Sequence, residues 1–142
     1  MSGVAVVRHL LASNAALLGQ VPAARIKAGV LPLKTPLPAI GITSVSAVRR
    51  NTAGMNEGET LVTERVQATV MVKRSAQGGS DYPALTTILR LARQACPQTT
   101  GTVNGVAVLS VLPDIEGPDL GPDDADIIMR SQDLIIRWRE AR

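Results

Sequence analysis

Aromatic side chains are almost missing from this sequence of 142 residues, which has no Phe, one Tyr and one Trp. A hydrophobic core must therefore be built from Val, Leu, Ile and Ala. Recognition of single-stranded nucleic acid relies on aromatic side chains that stack on bases, so the composition argues against that class of protein. The length fits one domain with a substantial core.

Cysteine is scarce as well, because Cys96 is the only one. A single cysteine cannot form an intramolecular disulfide, which fits folding in a reducing cytosol. No apolar run approaches the length of a membrane span, so we expect no membrane partner. Arg8 and His9 interrupt the apolar N-terminal stretch, which makes it a poor signal peptide.

Charge is sparse and dispersed: the net charge is +3, and no Lys/Arg run of the kind that binds nucleic acid occurs. Basic residues gather only at Arg49-Arg50 and at the C-terminal Arg137, Arg139 and Arg142. This pattern is typical of a solubilising surface and gives weak support to an acidic partner.

Sequence motifs of catalysis are also missing. Gly78-Gly79 lacks the lysine and the preceding residues of a phosphate-binding loop, and no nucleophile elbow, zinc-protease helix or paired-cysteine metal motif occurs. We therefore predict no catalytic residue, no metal site, no cofactor and no enzymatic activity.

Two weaker chemical candidates deserve mention. His9 and Cys96 lie on predicted helices that both pack on the sheet, so a thiol–imidazole pair is one interpretation. The favoured alternative is a small buried cysteine and a histidine on the polar face of its helix. A calcium site is the second candidate, but the spacing of the carboxylates does not fit the helix–loop–helix pattern, and a solvated loop is favoured. Its carboxylates belong to Asp119, Asp123, Asp124 and Asp126.

The strongest structural signal lies in residues 61–74, LVTERVQATVMVKR. Apolar residues alternate with polar ones, which predicts a long strand with one dry face and one wet face. The dry face consists of Val62, Val66, Ala68, Val70 and Val72. Glu64 interrupts this face near one end, where we expect its carboxylate to reach water.

The N-terminal region is predicted to be helical. Ser2 caps a helix from about residue 3 to 11 or beyond, and its apolar residues follow three-and-four spacing. Ser13 or Asn14 caps a short second piece over residues 15–18.

A second main helix follows the long strand. Ser80 or Asp81 caps it, Pro83 stands in its first turn and Pro97 ends it. Its apolar stripe, expected on the dry face of the sheet, consists of Leu85, Ile88, Leu89, Ala92 and Ala95.

Further strands are predicted at residues 25–30, 39–48, 106–112 and 127–139. Val45 and Val48 break the alternation set by Ile40 and Ile42, which predicts a bulge. Asn104-Gly105 predicts a tight turn. Residues 32–38, which contain three prolines, form a rigid connection, and residues 49–60 and 114–126 form loops, of which the second is acidic and exposed.

This order of elements indicates an α+β fold in one domain over residues 1–142. We expect a mainly antiparallel sheet of four to five strands with two helices packed on one face. Parallel neighbours need a crossover, and only the second main helix is placed to supply one.

Several stretches together resemble one protein family. Arg25-Ile26 follows an N-terminal helix, and Thr35-Pro36-Leu37-Pro38 leads into a strand at Ala39-Ile40. A helix begins at Asp81-Tyr82-Pro83 after the long strand, and residues 131–138, SQDLIIRW, are a polar lead-in to an alternating strand that ends near an aromatic. Over nearly its whole length the chain resembles the tail terminator family (tail completion, or head–tail joining) of long-tailed bacteriophages.

The resemblance implies a structural virion protein. Members of the family are α+β subunits that form a hexameric ring on the last disc of the tail tube, stop tube polymerisation and offer the surface on which the filled head docks. The implied partners are further copies of the chain, the tail tube protein, the head-completion or connector protein, and genome DNA that passes without sequence specificity through the lumen. The implied location is the head-proximal end of the virion's tail, reached from the host cytoplasm during assembly.

Contact residues for such a ring are predicted at two places. The long polar loop is expected to line the lumen or to touch the tube, through Arg49, Arg50, Asn51, Met55, Asn56 and Glu57. The acidic loop is expected to meet basic residues of a neighbouring subunit, and these interface charges are Asp123, Asp124, Asp126, Arg137 and Arg139.

Three alternatives stay open at this point. A neck or head-completion protein would join a different assembly partner. A small α+β ligand-binding domain or enzyme would need a concave pocket with convergent polar groups, with His9 or Cys96 in it. A nucleic-acid binder of the toxin or antitoxin type would show an affinity for DNA that falls steeply with salt.

Overall fold

The computed structural model describes residues 2–32, 34–50, 58–73, 82–97, 100–120 and 126–141. Along the chain lie α1 (Gly3–Ala12), α2 (Ala15–Leu18), a 3₁₀ turn (Ala23–Arg25), β1 (Ile26–Ala28), β2 (Ala39–Arg50), β3 (Glu59–Lys73), α3 (Tyr82–Ala95), β4 (Gly101–Val103), β5 (Val106–Glu116) and β6 (Ile127–Ala141).

The strands form one sheet in the order β1-β2-β3-β6-β5-β4. β3 pairs antiparallel with β6 along its full length, from Glu59 opposite Ala141 to Lys73 opposite Ile127. β2 with β3, β5 with β6 and β4 with β5 are antiparallel too, whereas β1 runs parallel to β2. The α+β class is confirmed, but the expected count of four to five strands is too low, because the sheet has six, and the sheet is mixed.

The parallel pair also corrects the expectation that only a helix supplies a crossover. β1 has three residues, and the proline-containing segment between Ala28 and Ala39 brings the chain back to start β2 beside it. The Arg25 guanidinium donates a hydrogen bond to the carbonyl oxygen of Leu37 at 3.3 Å, and Gly29 N–H donates to the carbonyl oxygen of Ile42 at 2.7 Å. These bonds fix a connection that has no helix of its own.

The alternation predicted for the long strand is confirmed in β3, where buried and half-buried residues alternate from Thr60 to Val72. The buried residues face a single core, which the three α-helices share with one side of the sheet. All five residues of the α3 stripe are buried, as predicted: Leu85, Ile88, Leu89, Ala92 and Ala95. No helix among the described residues is long and apolar enough to cross a membrane.

Side-chain caps explain where the first two helices begin. Ser2 Oγ accepts a hydrogen bond from the Ala5 N–H at 3.2 Å, and Asn14 Oδ1 accepts one from the Leu17 N–H at 2.9 Å. Both caps were predicted, whereas the cap predicted for α3 at Ser80 or Asp81 lies outside the described residues. The expected two helices become three because the piece at Ala15–Leu18 is an α-helix of its own.

The expectation that Glu64 reaches water is wrong, because the residue is only 4% exposed. Its Oε2 accepts hydrogen bonds from the Gly3 N–H at 2.6 Å and from the Trp138 indole N–H at 3.3 Å. The carboxylate therefore satisfies a free N–H at the start of α1 and joins α1, β3 and β6. A Cβ on Gly3 would lie 2.6 Å from this oxygen, so the contact requires glycine.

The C-terminal half of the sheet is longer than predicted. Asn104 and Gly105 have positive φ angles of 49° and 79° and form the predicted tight turn. This turn joins β5 to β4, a strand that was not predicted. β5 continues through Pro113 to Glu116, because β4 covers only residues 106–108. Pro113 stands at an edge where no strand among the described residues needs its N–H.

The two predicted loops are correspondingly shorter at their ends. Arg49 and Arg50 belong to β2, and Glu59 and Thr60 belong to β3. Asp114 and Glu116 belong to β5 and are not part of an exposed loop. The predicted bulge in β2 is confirmed between Ser44 and Ser46.

Candidate functional site

One face of the sheet is left without a helix among the described residues, and we call it the open face. It carries the side chains of β3 that alternate with the core residues, from Leu61 through Arg65 and Gln67 to Met71. Their direct neighbours on β6 include Arg137 opposite Thr63 and Asp133 opposite Gln67. Because the β3 positions are half-buried and only Asp133 among those named is buried, the open face is the part of the sheet available to a partner.

Basic residues collect at one end of the sheet, on both of its faces. Arg49 stands opposite Val62 on the helix-covered side, and its Nε lies 3.0 Å from Glu140 Oε2. Arg139 stands opposite Leu61 on the open face, and its Nη1 lies 3.2 Å from Glu59 Oε2. Arg50 and Arg137 have no ion-pair partner among the described residues, so positive charge is in excess here. A shallow depression of about 360 Å³ lies between them, lined by Val48, Arg50, Leu61, Thr63 and Arg137.

An ion-pair network occupies the middle of the open face. Arg65 Nη1 lies 2.6 Å from Asp114 Oδ2 and 3.2 Å from Asp133 Oδ2, and Gln67 Nε2 donates to Asp133 Oδ1 at 3.1 Å. The hydrogen bond to Asp133, with the charges of Asp114 and Asp133, raises the pKa of Arg65 above its ordinary value. The network joins β3, β5 and β6 without any covering helix.

A second group of ion pairs lies at the opposite end of the sheet. Arg130 stands opposite the core residue Val70, and its Nε lies 3.3 Å from Asp119 Oδ1. Arg130 and Arg93 of α3 approach Glu116 Oε1 at 3.9 and 3.7 Å, so these pairs lie towards the helix-covered side. Among the described residues Asp114, Glu116 and Asp119 each have an arginine partner in the same chain, so their charges are largely compensated. An open depression of about 430 Å³ lies here, and its apolar lining includes Met71, Ile115, Leu120 and Met129.

The predicted contact residues divide between these two ends. Arg137 and Arg139 lie near the end of β6, and the exposed Asp126 lies directly before its start. The strand between them spans on the order of 40 Å, so one copy of the chain does not bring these charges together. Asn51, Met55, Asn56, Glu57, Asp123 and Asp124 lie outside the described residues.

The thiol–imidazole interpretation finds no support in the geometry. Cys96 is buried, and burial raises the pKa of its thiol from 9.0 to about 12. His9 is exposed on α1. In this conformation the thiol stays protonated at neutral pH and has no access to a substrate. Within the described part of the chain no group of three or more His, Cys, Asp or Glu residues is arranged to hold a metal ion.

Sequence reasoning missed the exposed apolar residues along the sheet edges. Val45 and Val48 on β2 are 53% and 50% exposed, and Ile115 on β5 is 59% exposed. A signal was present for the first two, because they break the alternation of their strand. For Ile115 the signal was hidden, since Pro113 suggested that the strand had already ended.

Comparison with known proteins gives a likeness in structure only. No protein-family model matches the chain, and no curated protein matches it. A chain in the solved structure described as the virion of a native gene transfer agent (GTA) particle superposes with a TM-score of 0.61 at 17% sequence identity. The match covers 99% of this chain and 96% of that chain. This protein therefore has the fold of a chain found in that particle, from end to end.

Proposed function

We propose that this chain is a structural protein of a phage-like virion. The observation that carries the proposal is the likeness in fold to a chain of a gene transfer agent virion, which spans both chains almost completely. The proposal includes no enzymatic activity, no metal and no cofactor.

Within the virion we propose the role of a tail terminator. In this role six copies form a ring on the last disc of the tail tube, end its polymerisation and present a docking surface to the head connector, while genome DNA passes through the ring. The sequence resemblance described above supports this finer assignment. Arg50 and Arg137 have no ion-pair partner among the described residues and leave positive charge at one end of the open face, which suits a partner with an acidic surface there.

Deleting the gene in a host that produces the particles tests the role. A terminator's loss yields tails of uncontrolled length that carry no heads, measured as the tail-length distribution in electron micrographs. Tails of normal length that fail to join heads identify a head-completion protein instead. Normal, infectious particles would refute a virion role altogether.

The same assay tests the basic end of the sheet. Arg49→Glu/Arg50→Glu leaves folding intact, because Arg49 is exposed and its ion pair with Glu140 is a surface pair. We expect it to reduce particle joining at least about tenfold, as reversal of a charged interface does. Lys73→Glu/Arg90→Glu makes the same change of charge at two exposed positions elsewhere and is the matched control.

A further inference from the structure

Three neighbouring strands bring five side chains around one depression at the basic end of the open face. Val48 of β2 and Arg137 of β6 both stand opposite Thr63 of β3, and Arg50 of β2 stands opposite Leu61. Residues directly opposite each other in a sheet project from the same face, so all five side chains lie on the open face. We call this shallow depression of about 360 Å³ the two-arginine cleft.

The two arginines of the cleft differ from the arginines beside them. Arg65 and Arg139 project from the same face, and each has a carboxylate partner in the chain, at 2.6 Å for Arg65 and at 3.2 Å, on Glu59, for Arg139. Arg50 and Arg137 are exposed and have no ion-pair partner among the described residues. The cleft is therefore the place on this face where positive charge is left for a ligand.

The positions of Arg50 and Arg137 allow both to reach one anion. Their strands flank β3, so the two backbones lie about 10 Å apart, and both side chains line the depression between them. The residues directly opposite carry no negative charge: Leu61 stands opposite Arg50, and Thr63 and Ser110 stand opposite Arg137. Guanidinium groups placed in this way are the groups with which proteins bind carboxylates and phosphates.

The shape of the cleft favours an anion that belongs to a larger partner. A pocket for a free small molecule surrounds most of its ligand, whereas this cleft is shallow and offers only the surface of the sheet. Val48, which is 50% exposed, and the half-buried Leu61 add apolar surface beside the arginines. A partner that also covers this apolar surface gains more free energy than an isolated anion does.

A protein carboxylate fits these surroundings better than the phosphates of a nucleic acid. Nucleic acids are held through many phosphate contacts and, for single strands, through aromatic side chains that stack on bases. The cleft offers two guanidinium groups, and its lining contains no aromatic side chain. A protein segment can present a carboxylate and an apolar side chain together, which matches both kinds of surface in the cleft.

We propose that the two-arginine cleft binds an acidic segment of a partner protein. A Glu or Asp carboxylate of that segment lies between the guanidinium groups of Arg50 and Arg137, and an adjacent apolar side chain packs on Val48 and Leu61. The inference deepens the proposed function, on which the identification of the partner as another virion protein rests. The chemistry of the site rests on the cleft alone.

Peptide titration of the whole chain tests the site directly. The probe is acetyl-Leu-Glu-Leu-amide, and acetyl-Leu-Gln-Leu-amide is its uncharged counterpart. In NMR spectra at physiological ionic strength, the side-chain N–H resonances of Arg50 and Arg137 should move together, with one dissociation constant for the glutamate peptide. The glutamine peptide should bind about tenfold more weakly, because it forms neither charge pair.

A pair of variants shows whether the two arginines are responsible. Arg50→Gln/Arg137→Gln should weaken binding of the glutamate peptide by about tenfold, and its thermal unfolding should match that of the unchanged protein because both side chains are exposed. Lys73→Gln/Arg90→Gln is the matched control, since it removes two positive charges at exposed positions outside the cleft. It should leave binding unchanged.

Several results would overturn the proposal. Equal affinity for the two peptides would show that the carboxylate is not recognised, and movement of only one arginine resonance would show that the two do not share an anion. An equal loss of binding in the control variant would reduce the effect to net charge. Binding of a duplex DNA oligonucleotide that the cleft variant abolishes and the control retains would assign the cleft to phosphate instead.

Particle assembly separates this inference from the proposed function. If deletion of the gene leaves normal infectious particles while the purified chain binds the glutamate peptide through both arginines, the virion role fails and the inference stands. If particles require the protein but are completed normally by Arg50→Glu/Arg137→Glu, the role stands and the cleft is not a docking site.

Discussion

Glu64 and Asp133 lie on neighbouring strands of one sheet, on opposite faces, and both carboxylates are buried. Glu64, on the helix-covered face, accepts from a main-chain N–H and an indole N–H and has no ion-pair partner among the described residues. Asp133, on the open face, accepts from the guanidinium of Arg65 and the amide of Gln67. One carboxylate is held by neutral donors in a dry core, and the other belongs to a charged network at the boundary with water.

This difference indicates which face of the sheet tolerates substitution without a large loss of stability. Removing Glu64 leaves the Gly3 N–H and the Trp138 indole N–H buried without an acceptor, and no water replaces it. Burying unpaired donors costs folding free energy. Removing Asp133 leaves Arg65 with Asp114 as a second partner and with solvent nearby. The helix-covered face therefore holds the fold together, whereas the open face is free to be shaped by a partner.

The largest expected effect is at Glu64. Glu64→Ala should lower the free energy of unfolding by about 3 kcal/mol, because it leaves the Gly3 and Trp138 N–H groups unpaired and opens a cavity. Denaturant unfolding followed by Trp138 fluorescence measures this loss. Glu64→Gln keeps an acceptor oxygen and should cost about 1 kcal/mol. Equal losses for the two variants would contradict the role given to the acceptor.

A smaller effect on the same side of the sheet comes from Cys96. Its thiol is neutral in the folded state up to a pKa of about 12, whereas the unfolded thiol ionises near 9.0. The raised pKa of the folded thiol means that Cys96 costs no stability below about pH 9, and that the free energy of unfolding falls as pH rises from there towards 12. At pH 10 the ionisation of the unfolded thiol should lower the free energy of unfolding by about 1.4 kcal/mol.

The control is Cys96→Ala, which should show a shallower decline in stability between pH 8 and about 11. The comparison uses the two slopes, so a constant loss from the smaller side chain does not disturb it. Parallel curves for the two proteins would show that the thiol ionises without unfolding.

The smallest expected effect is on the open face. Asp133→Ala should lower the free energy of unfolding by about 1 kcal/mol, because Arg65 retains Asp114. High salt should reduce this difference, since the network is partly exposed, whereas the effect of Glu64→Ala should be nearly independent of salt. A loss for Asp133→Ala as large as that for Glu64→Ala would break the contrast between the faces.

The elements that were predicted from the sequence are those with a repeated local signal. β3 has alternating residues over its whole length, α3 has five apolar residues at helical spacing, and Ser2 and Asn14 are local caps. Such signals need no knowledge of the rest of the chain. The predicted turn at Asn104-Gly105 belongs to the same class.

The features that were missed depend on residues distant in sequence or on very short segments. Glu64 is buried because Gly3 and Trp138, 61 and 74 residues away, supply its donors. β4 has three residues, too few for a period to be visible. The extension of β5 beyond Pro113 depends on an edge that β4 leaves uncovered after residue 108 in the described sheet, and this only the folded structure reveals.

The brevity of β1 has a practical consequence. Because β1 ends at Ala28, opposite Ile42, two thirds of the twelve residues of β2 lie beyond its reach, and the length of the outermost strand sets how much of its neighbour remains uncovered. A designed insertion that prolonged β1 alongside residues 43–48 would pair with the uncovered edge of β2 from within the same chain.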